Sequence, residues 1–268
     1  MDFKDQIKQV GERVVKLKDQ IKTEEATKTA LIMPFIQCLG YDVFNPLEVV
    51  PEFTADIGIK KGEKVDYAIL KDGQPTILIE CKWWGENLIL HDSQLFRYFH
   101  TTKAKFGILT NGIHYKFYTD LIEPNKMDEK PFLEFDITNA KEQSVNELKK
   151  FHKSYFDVNN ICNSASELKY SNEIKLLLSN ELNAPSSNFV KFFVERVYSG
   201  KATIKVMTQF TEIVKKSLNQ FISDTISERL KTALEKENIN SKDSDKEILE
   251  VEKNGNVAKN GGFFIEKK

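Results

Sequence analysis

The chain has 268 residues, of which 40% are hydrophobic and 11% aromatic, so it contains enough apolar side chains for a sizeable core. Its 39 basic and 40 acidic residues nearly cancel, which argues against strong non-specific DNA binding by the chain as a whole. No apolar run is long enough to span a bilayer and the N-terminus lacks a signal-like apolar segment, so we expect a cytoplasmic protein without membrane contacts. Three scattered cysteines and four histidines lack the spacing of a disulfide framework or a zinc site.

Two helices are predicted at the start of the chain. Apolar residues recur every three or four positions up to residue 22, which is typical of an amphipathic helix. A second helix is predicted to begin after Thr23, a good N-cap, and to end at Gly40. Glu24 and Glu25 stand in its first turn, where negative charge suits the helix dipole. Pro34 lies inside this helix and is expected to kink it.

A β-hairpin follows, in which charged residues interrupt apolar strands. Residues 65–70 (VDYAIL) and 76–82 (TILIECK) are predicted to be strands, with turn residues between them. Because side chains alternate along a strand, Glu80 and Lys82 should point to one face. An antiparallel partner can bring Asp66 beside them.

Two carboxylates and a lysine in this arrangement predict a metal-dependent nuclease site. Neighbouring carboxylates repel each other, and Mg²⁺ relieves this repulsion; it is typically held by one or two carboxylates together with phosphate oxygens. Lys82 could then orient or help to deprotonate an attacking water. Charged residues near strand ends are commonly just solvated surface groups, but Asp66, Glu80 and Lys82 stand in otherwise apolar strands, where a chance charge is unwelcome.

The remainder of the chain is predicted to contain one more hairpin and then helices. Residues 106–111 and 113–119 should form the hairpin, with Asn111-Gly112 as its two-residue turn. The helices are expected near residues 139–154, 164–182, 186–199 and 202–236. A nearly continuous apolar stripe along the last helix is typical of a core or a helix-pairing seam, so a homodimer through the C-terminal helices is one hypothesis.

Four motifs carry a resemblance to a known family: VDYAIL (65–70), IECKWW (79–84), QLFRYF (94–99) and GILTNG (107–112). Together they resemble the nuclease domain of type I restriction enzyme R subunits, which belongs to the PD-(D/E)xK nuclease superfamily. The resemblance covers roughly residues 20–136. It implies an α/β fold, restriction-endonuclease-like, with a mixed central sheet flanked by helices; an α-helical C-terminal extension would follow. It also implies Mg²⁺ dependence, with Mn²⁺ as a substitute, and hydrolysis of DNA phosphodiester bonds.

The resemblance assigns roles to individual residues of the hairpin. Asp66, Glu80 and the backbone carbonyl of Cys81 would be metal ligands. Lys82 would be the catalytic lysine. These assignments agree with the chemistry expected from the residue types alone.

Three further residues are predicted to be accessory catalytic or DNA-contacting groups. Gln94 and Tyr98 match the Q-x-x-x-Y motif of R subunits and lie one turn apart on a predicted helix over residues 90–101, where they could bind a phosphate or a base. Alternatively, Tyr98 packs against the sheet and Gln94 is merely exposed. By resemblance to an E-A-T-K pattern, Glu25 is favoured over Glu24 as an accessory metal ligand, although helix capping alone would explain both glutamates.

These observations lead to a prediction of domains and function. The predicted segments are an N-terminal amphipathic helix (1–22), a nuclease-like core (23–136), a helical extension (137–236) and a disordered tail (237–268). R subunits couple their nuclease to an ATP-driven translocase, but this chain has no G-x-x-x-x-G-K-[ST] phosphate loop, so no ATP use is predicted.

The predicted function is a stand-alone Mg²⁺-dependent DNA endonuclease, prophage-borne or acting in restriction and phage defence. One alternative is a non-catalytic DNA-binding or interaction module that retained the nuclease fold. Another is a structural protein that assembles through its C-terminal helices.

Overall fold

The computed structural model describes residues 2–54, 64–89 and 94–255, and it describes side chains as far as residue 234. The chain divides into two compact units, Met1–Ile174 and Lys175–Lys268. The strands of the described residues form one sheet in the first unit. None of the described helices combines the length and the hydropathy needed to cross a membrane.

The predicted N-terminal helix is present as α1 (Phe3–Leu17), and a single 3₁₀ turn (Lys18–Gln20) follows it. Asp2 caps α1 by accepting a hydrogen bond from the backbone N–H of Phe3. Its buried face carries Phe3, Ile7 and Val14, which is the apolar stripe that the sequence predicts.

The second predicted helix is divided into three parts: α2 (Glu24–Thr27), a π-helical turn (Lys28–Ile32) and α3 (Met33–Cys38). Thr23 is the N-cap as predicted, because its Oγ1 accepts a 3.1 Å hydrogen bond from the N–H of Ala26. Pro34 stands in the first turn of α3. Proline has no N–H to donate, and the hydrogen-bonding pattern of the helix changes just before Pro34; the kink itself stays a prediction.

The mixed sheet that the sequence predicts is confirmed. Its strands are β1 (Val49–Phe53), β2 (Val65–Lys71), β3 (Gln74–Cys81), β4 (Phe106–Thr110), β5 (His114–Tyr118) and β6 (Leu133–Asp136). They lie in the sheet in chain order. Of the strands described, only β3 and β4 pair in parallel, and α4 (Gln94–Thr101) lies in the connection between them. The start of the predicted helix, at residues 90–93, lies outside the described residues.

The two hairpin turns differ from their predicted lengths. Between β2 and β3 the turn is only Asp72-Gly73, with φ of 52° and 74°, as in a type I′ turn. The predicted two-residue turn at Asn111-Gly112 is wrong, because Thr110 pairs with Tyr115 and residues 111–113 link the strands.

The sheet separates two buried clusters. Ile79 and Ile108 belong to the larger cluster, which also includes residues of α1, α3 and the π-helical turn. Leu78 and Leu109, which alternate with them, belong to the smaller cluster together with residues of α4.

Helices follow the sheet: α5 (Glu142–Lys149), α6 (Val158–Asn183), α7 (Ser187–Val197) and α8 (Ile204–Gly255). Val145 and Leu148 of α5, with Ile161 and Ala165 of α6, are part of the larger buried cluster. The first unit therefore extends past residue 136, and the narrower nuclease-like core stays a prediction.

α8 continues past residue 236, where a disordered tail was predicted, and ends at Gly255. No glycine or proline interrupts the chain between its first residue and residue 254, which is compatible with a continuous helix. The rest of the predicted tail, residues 256–268, lies outside the described residues.

Candidate active site

The structure brings Asp66 of β2 next to the end of β3, where Glu80 lies. Tyr67 pairs with Ile79, and continuing this register by one residue sets Asp66 opposite Glu80. The backbone N–H of Cys81 donates a 2.7 Å hydrogen bond to Oδ2 of Asp66. The two predicted carboxylates therefore come from neighbouring strands, at the same end of the hairpin and on the same face of the sheet.

Glu80 is a buried carboxylate with one oxygen unused. Its Oε1 accepts a 2.9 Å hydrogen bond from Nζ of Lys82. Its Oε2 is buried and has no hydrogen-bond partner among the described residues. Burial raises the pKa of Glu80, and the ion pair with Lys82 opposes this rise. Since an unpaired buried acceptor is costly, Oε2 is suited to a ligand such as a metal cation.

Lys82 follows β3 and is part of the same ion pair. Burial alone would lower its pKa, but the hydrogen bond and charge of Glu80, with the charges of Glu24 and Asp66, raise the pKa above its ordinary value. The side chain is 31% exposed, so it faces solvent as well as Glu80. The arrangement holds Lys82 protonated, which favours orienting a water or phosphate over accepting a proton.

Sequence reasoning did not identify Lys28 as part of the site. The side chain of Lys28 is only 11% exposed, and its Nζ lies 2.8 Å from Oδ1 of Asp66. It also lies 3.8 Å from Oε1 of Glu24 and forms an ion pair with Glu25. Burial would lower its pKa, but hydrogen bonds to Asp66 and Glu25 and their charges raise it.

A signal in the sequence could have identified this lysine. Leu31 and Ile32 follow Lys28 at three and four residues, and both are fully buried. Residues at this spacing share one helix face, so Lys28 stands on the face that turns toward the core.

The structure distinguishes the two glutamates of α2. Glu25 is 79% exposed and pairs with Lys28. Glu24 is 39% exposed; its pKa is raised by burial and by the charge of Asp66, while Lys82 and Lys28 act in the opposite direction. The geometry therefore favours Glu24 as the glutamate that faces the site, and the role assigned to Glu25 stays a prediction.

The charges around this site do not balance. Four carboxylates surround two ammonium groups, and these residues are Glu24, Glu25, Asp66, Glu80, Lys28 and Lys82. If all six are ionised, the cluster carries a formal charge of −2, which one divalent cation would neutralise. Among the described residues no group of three or more His, Cys, Asp or Glu side chains is arranged to hold a metal ion. Mg²⁺ does not require such a cage, because it usually takes one or two carboxylates with water and phosphate oxygens.

Hydrogen bonds with other parts of the chain support the loop that follows Lys82. Nε1 of Trp84 donates to the carbonyl of Ile21 at 2.9 Å, and its backbone N–H donates to Oγ1 of Thr27 at 3.3 Å. Nδ2 of Asn111 donates to the carbonyls of Trp84 at 3.1 Å and Glu86 at 3.0 Å. These bonds tie the loop to α2 on one side and to the β4–β5 connection on the other.

A cavity of about 750 Å³ lies beyond this loop, lined by Trp84 and polar residues such as Asn87 and His114. Asp66, Glu80 and Lys82 are not among the described residues that line this cavity. The candidate site is therefore outside the cavity, where β2 begins and β3 ends.

The structure places Gln94 and Tyr98 on α4, as predicted, but in different environments. Tyr98 is fully buried in the smaller cluster, with Leu95 and Phe99. Gln94 is half-buried. Packing against the sheet thus explains the position of Tyr98, and a catalytic or DNA-contacting role for either residue stays a prediction.

Residues 59–126 match a family model described as the type I restriction enzyme R protein N terminus. The match spans about a quarter of the chain and includes Asp66, Glu80 and Lys82, while α2 and Lys28 lie outside it. It supports the resemblance to R subunits that the four motifs carry. No curated protein and no solved structure matches the chain.

Proposed function

We propose that this relative of type I restriction enzyme R proteins is a Mg²⁺-dependent endonuclease that hydrolyses phosphodiester bonds in DNA. One observation carries the proposal: Oε2 of Glu80 is buried at the end of the hairpin, next to Asp66 and Lys82, and no described residue bonds it. Such an oxygen is costly unless a ligand uses it. The family match supports the proposal that this ligand is the metal ion of a nuclease.

The residues present fit a divalent cation. Oε2 of Glu80, the carboxylate of Asp66 and the backbone carbonyl of Cys81 would hold it, and the formal charge of −2 around them would attract it. Bound Mg²⁺ supplies Lewis-acid chemistry, which lowers the pKa of a water and neutralises charge on a phosphate.

Lys82 has a separate role in this proposal. Its ammonium is held by Glu80 on one side and is partly exposed on the other. A protonated amine in that position would bind a phosphate oxygen and stabilise the charge that develops during hydrolysis. The same hydrogen bond orients Glu80, so that Oε2 stays directed away from Lys82.

DNA is the proposed partner, and its phosphates would contact local basic groups, because the net charge of the chain is only −1. Nζ of Lys18 lies 5.8 Å from the ring centre of Trp84, two residues after Lys82, and Lys22 is exposed nearby in the chain. Lys64 and Lys105, by contrast, are paired with Glu52 and Asp120. Action in restriction or phage defence is proposed from the family match. No use of ATP is proposed, because the sequence lacks a G-x-x-x-x-G-K-[ST] phosphate loop.

The test is cleavage of supercoiled and linear DNA by the purified full-length protein, with Mg²⁺ or with EDTA. Asp66→Asn, Glu80→Gln and Lys82→Met should each lower the cleavage rate by a factor on the order of 10² or more, because each removes a charge used in the transition state. Asp72→Asn is the matched control, since Asp72 is exposed in the turn at the opposite end of the hairpin. Circular dichroism confirms that each variant is folded.

The same assay separates the alternative hypothesis. The protein would be a non-catalytic binding module if the wild type cleaves no DNA with Mg²⁺ or Mn²⁺ and if the wild type and Asp66→Asn bind DNA equally well. Cleavage that survives in Glu80→Gln would place the active site elsewhere.

A further inference from the structure

Lys28 and Asp66 form a partly buried ion pair between distant parts of the chain. The 2.8 Å contact joins residues 38 positions apart, and both side chains are largely inaccessible, at 11% and 17% exposure. Lys28 is the first residue of the π-helical turn. Single π-helical turns inside α-helices are rare, and those that occur often lie at functional sites.

The ammonium of Lys28 lies between an inner and an outer carboxylate. Asp66 is the inner one, held on the sheet by the N–H of Cys81. Glu25 is the outer one, 79% exposed and three residues before Lys28 in the chain. An ammonium has three N–H donors, so it can bond both carboxylates at once or keep only one of them.

We propose that Lys28 is a resident counterion of Asp66 that competes with the divalent cation for this carboxylate, and that Glu25 retains the ammonium when the cation binds. The charge of Lys28 opposes the approach of a cation to Asp66, and its hydrogen bond occupies Oδ1. Repulsion between the two charges therefore favours cation binding when Lys28 gives up Asp66. Glu25 makes this exchange less costly because it keeps the ammonium paired.

This inference gives Glu25 a role different from that of a metal ligand. A ligand would bind the cation directly, whereas here Glu25 acts only through Lys28. Removing Lys28 should tighten cation binding, and removing Glu25 should weaken it. The two effects have opposite signs, and the effect of Glu25 should disappear once Lys28 is absent.

The inference rests on the proposed metal site, so the test measures cation binding rather than cleavage. Full-length protein is freed of metal with EDTA, and Mn²⁺ binding is followed by electron paramagnetic resonance of the free ion. The variants are Lys28→Met, Glu25→Gln and the double substitution, and Lys22→Met is the control because Lys22 is exposed and bonds only the carbonyl of Asp19. Lys28→Arg keeps the positive charge and should bind Mn²⁺ as the wild type does.

Lys28→Met should bind Mn²⁺ more tightly by on the order of tenfold, because it removes a like charge beside the carboxylate of Asp66. Glu25→Gln should bind more weakly, and the double variant should match Lys28→Met. If wild type binds Mn²⁺ and Lys28→Met binds no more tightly, the counterion role is overturned. If Glu25→Gln still weakens binding in the Lys28→Met background, Glu25 is a ligand and its proposed role is wrong.

Two further results keep these interpretations separate. If neither wild type nor any variant binds Mn²⁺, the proposed metal site itself fails. If Lys28→Met does not fold, Glu25→Gln still tests the inference, because it alters an exposed side chain; an unchanged Mn²⁺ affinity in that variant would overturn it.

Discussion

The backbone N–H of Cys81 donates a 2.7 Å hydrogen bond to the carboxylate of Asp66. This bond makes Asp66 part of the pairing between β2 and β3 as well as part of the candidate site. Because its other oxygen accepts a hydrogen bond from Lys28, the carboxylate is oriented before any ligand binds. The orientation of this predicted metal ligand is thus a property of the fold.

Asp66→Ala is expected to destabilise the protein as well as abolish cleavage. It would leave a backbone N–H and the Lys28 ammonium without their shared acceptor, at a cost of about 1–3 kcal/mol. Urea unfolding in EDTA measures this change, and Asp72→Ala in the exposed turn provides the comparison. Equal stability of Asp66→Ala and wild type would mean that these hydrogen bonds contribute nothing to the fold.

Glu24 and Glu25 should differ in their effect on catalysis. The charge of Glu24 interacts with Asp66 and Lys82, so Glu24→Gln should lower the cleavage rate by about tenfold even at saturating Mg²⁺. The cleavage rate of Glu25→Gln should be restored by added Mg²⁺, because among these groups Glu25 pairs only with Lys28. Mg²⁺ titrations of the cleavage rate distinguish the two, and the reverse result would support Glu25 as the ligand.

Gly112→Ala should be more destabilising than Gly73→Ala. Both glycines have positive φ, at 80° and 74°, and this alone costs about 1–2 kcal/mol for a residue with a Cβ. A Cβ at Gly112 would also lie 2.9 Å from Cβ of Leu31, whereas nothing lies within 4 Å at Gly73.

The added contact at Gly112 should raise the total loss there to about 2–5 kcal/mol, since overpacking a core costs about 1–3 kcal/mol. Thermal or urea unfolding of the two variants gives the comparison. Equal losses in the free energy of unfolding would show that Leu31 can move away from the new Cβ without destabilising the protein.

Tyr98 should affect stability more than Gln94 does. Truncation of its fully buried ring in Tyr98→Ala should cost about 3–5 kcal/mol, while Tyr98→Phe keeps the ring and should retain most of that stability. Gln94→Ala should leave stability nearly unchanged, because Gln94 is only half-buried. A cleavage defect in stable Tyr98→Phe or Gln94→Ala would support the predicted accessory role.

The proposed homodimer would bury the exposed apolar residues of α8. Phe221, Ile226 and Leu230 are 69%, 53% and 59% exposed, and exposed apolar surface of this kind favours association. Light scattering should therefore give twice the chain mass of 30.9 kDa. Phe221→Asp with Ile226→Asp should give a monomer, and Val15→Asp on α1, at a side chain that is 57% exposed, should not. If the wild type is a monomer, the C-terminal helices do not mediate dimerisation.

Much of the site could be predicted because its determinants are local. The alternation of apolar and charged residues in residues 65–82 predicts which side chains share a face, since this alternation is a property of any strand. Asp72-Gly73 likewise selects a tight hairpin turn, because both residues tolerate positive φ. The order of the strands in the sheet follows the chain order.

Asn111-Gly112 shows where a local rule failed. The same kind of dipeptide predicted a two-residue turn, but Oδ1 of Asn111 accepts hydrogen bonds from the N–H groups of Ile113 and His114. Its amide meanwhile donates to the loop after Lys82. A partner from another part of the chain thus determined the length of this turn.

Residue types and spacing were sufficient to predict the β2–β3 hairpin, the proximity of Asp66 to Glu80 and the helix cap at Thr23, because each depends on neighbours in the chain or on one strand pairing. Tertiary structure alone determined that Lys28 pairs with Asp66 and that Oε2 of Glu80 has no partner among the described residues. A lysine is usually exposed, and only packing of the π-helical turn against the sheet, across 38 residues of sequence, excludes this one from water.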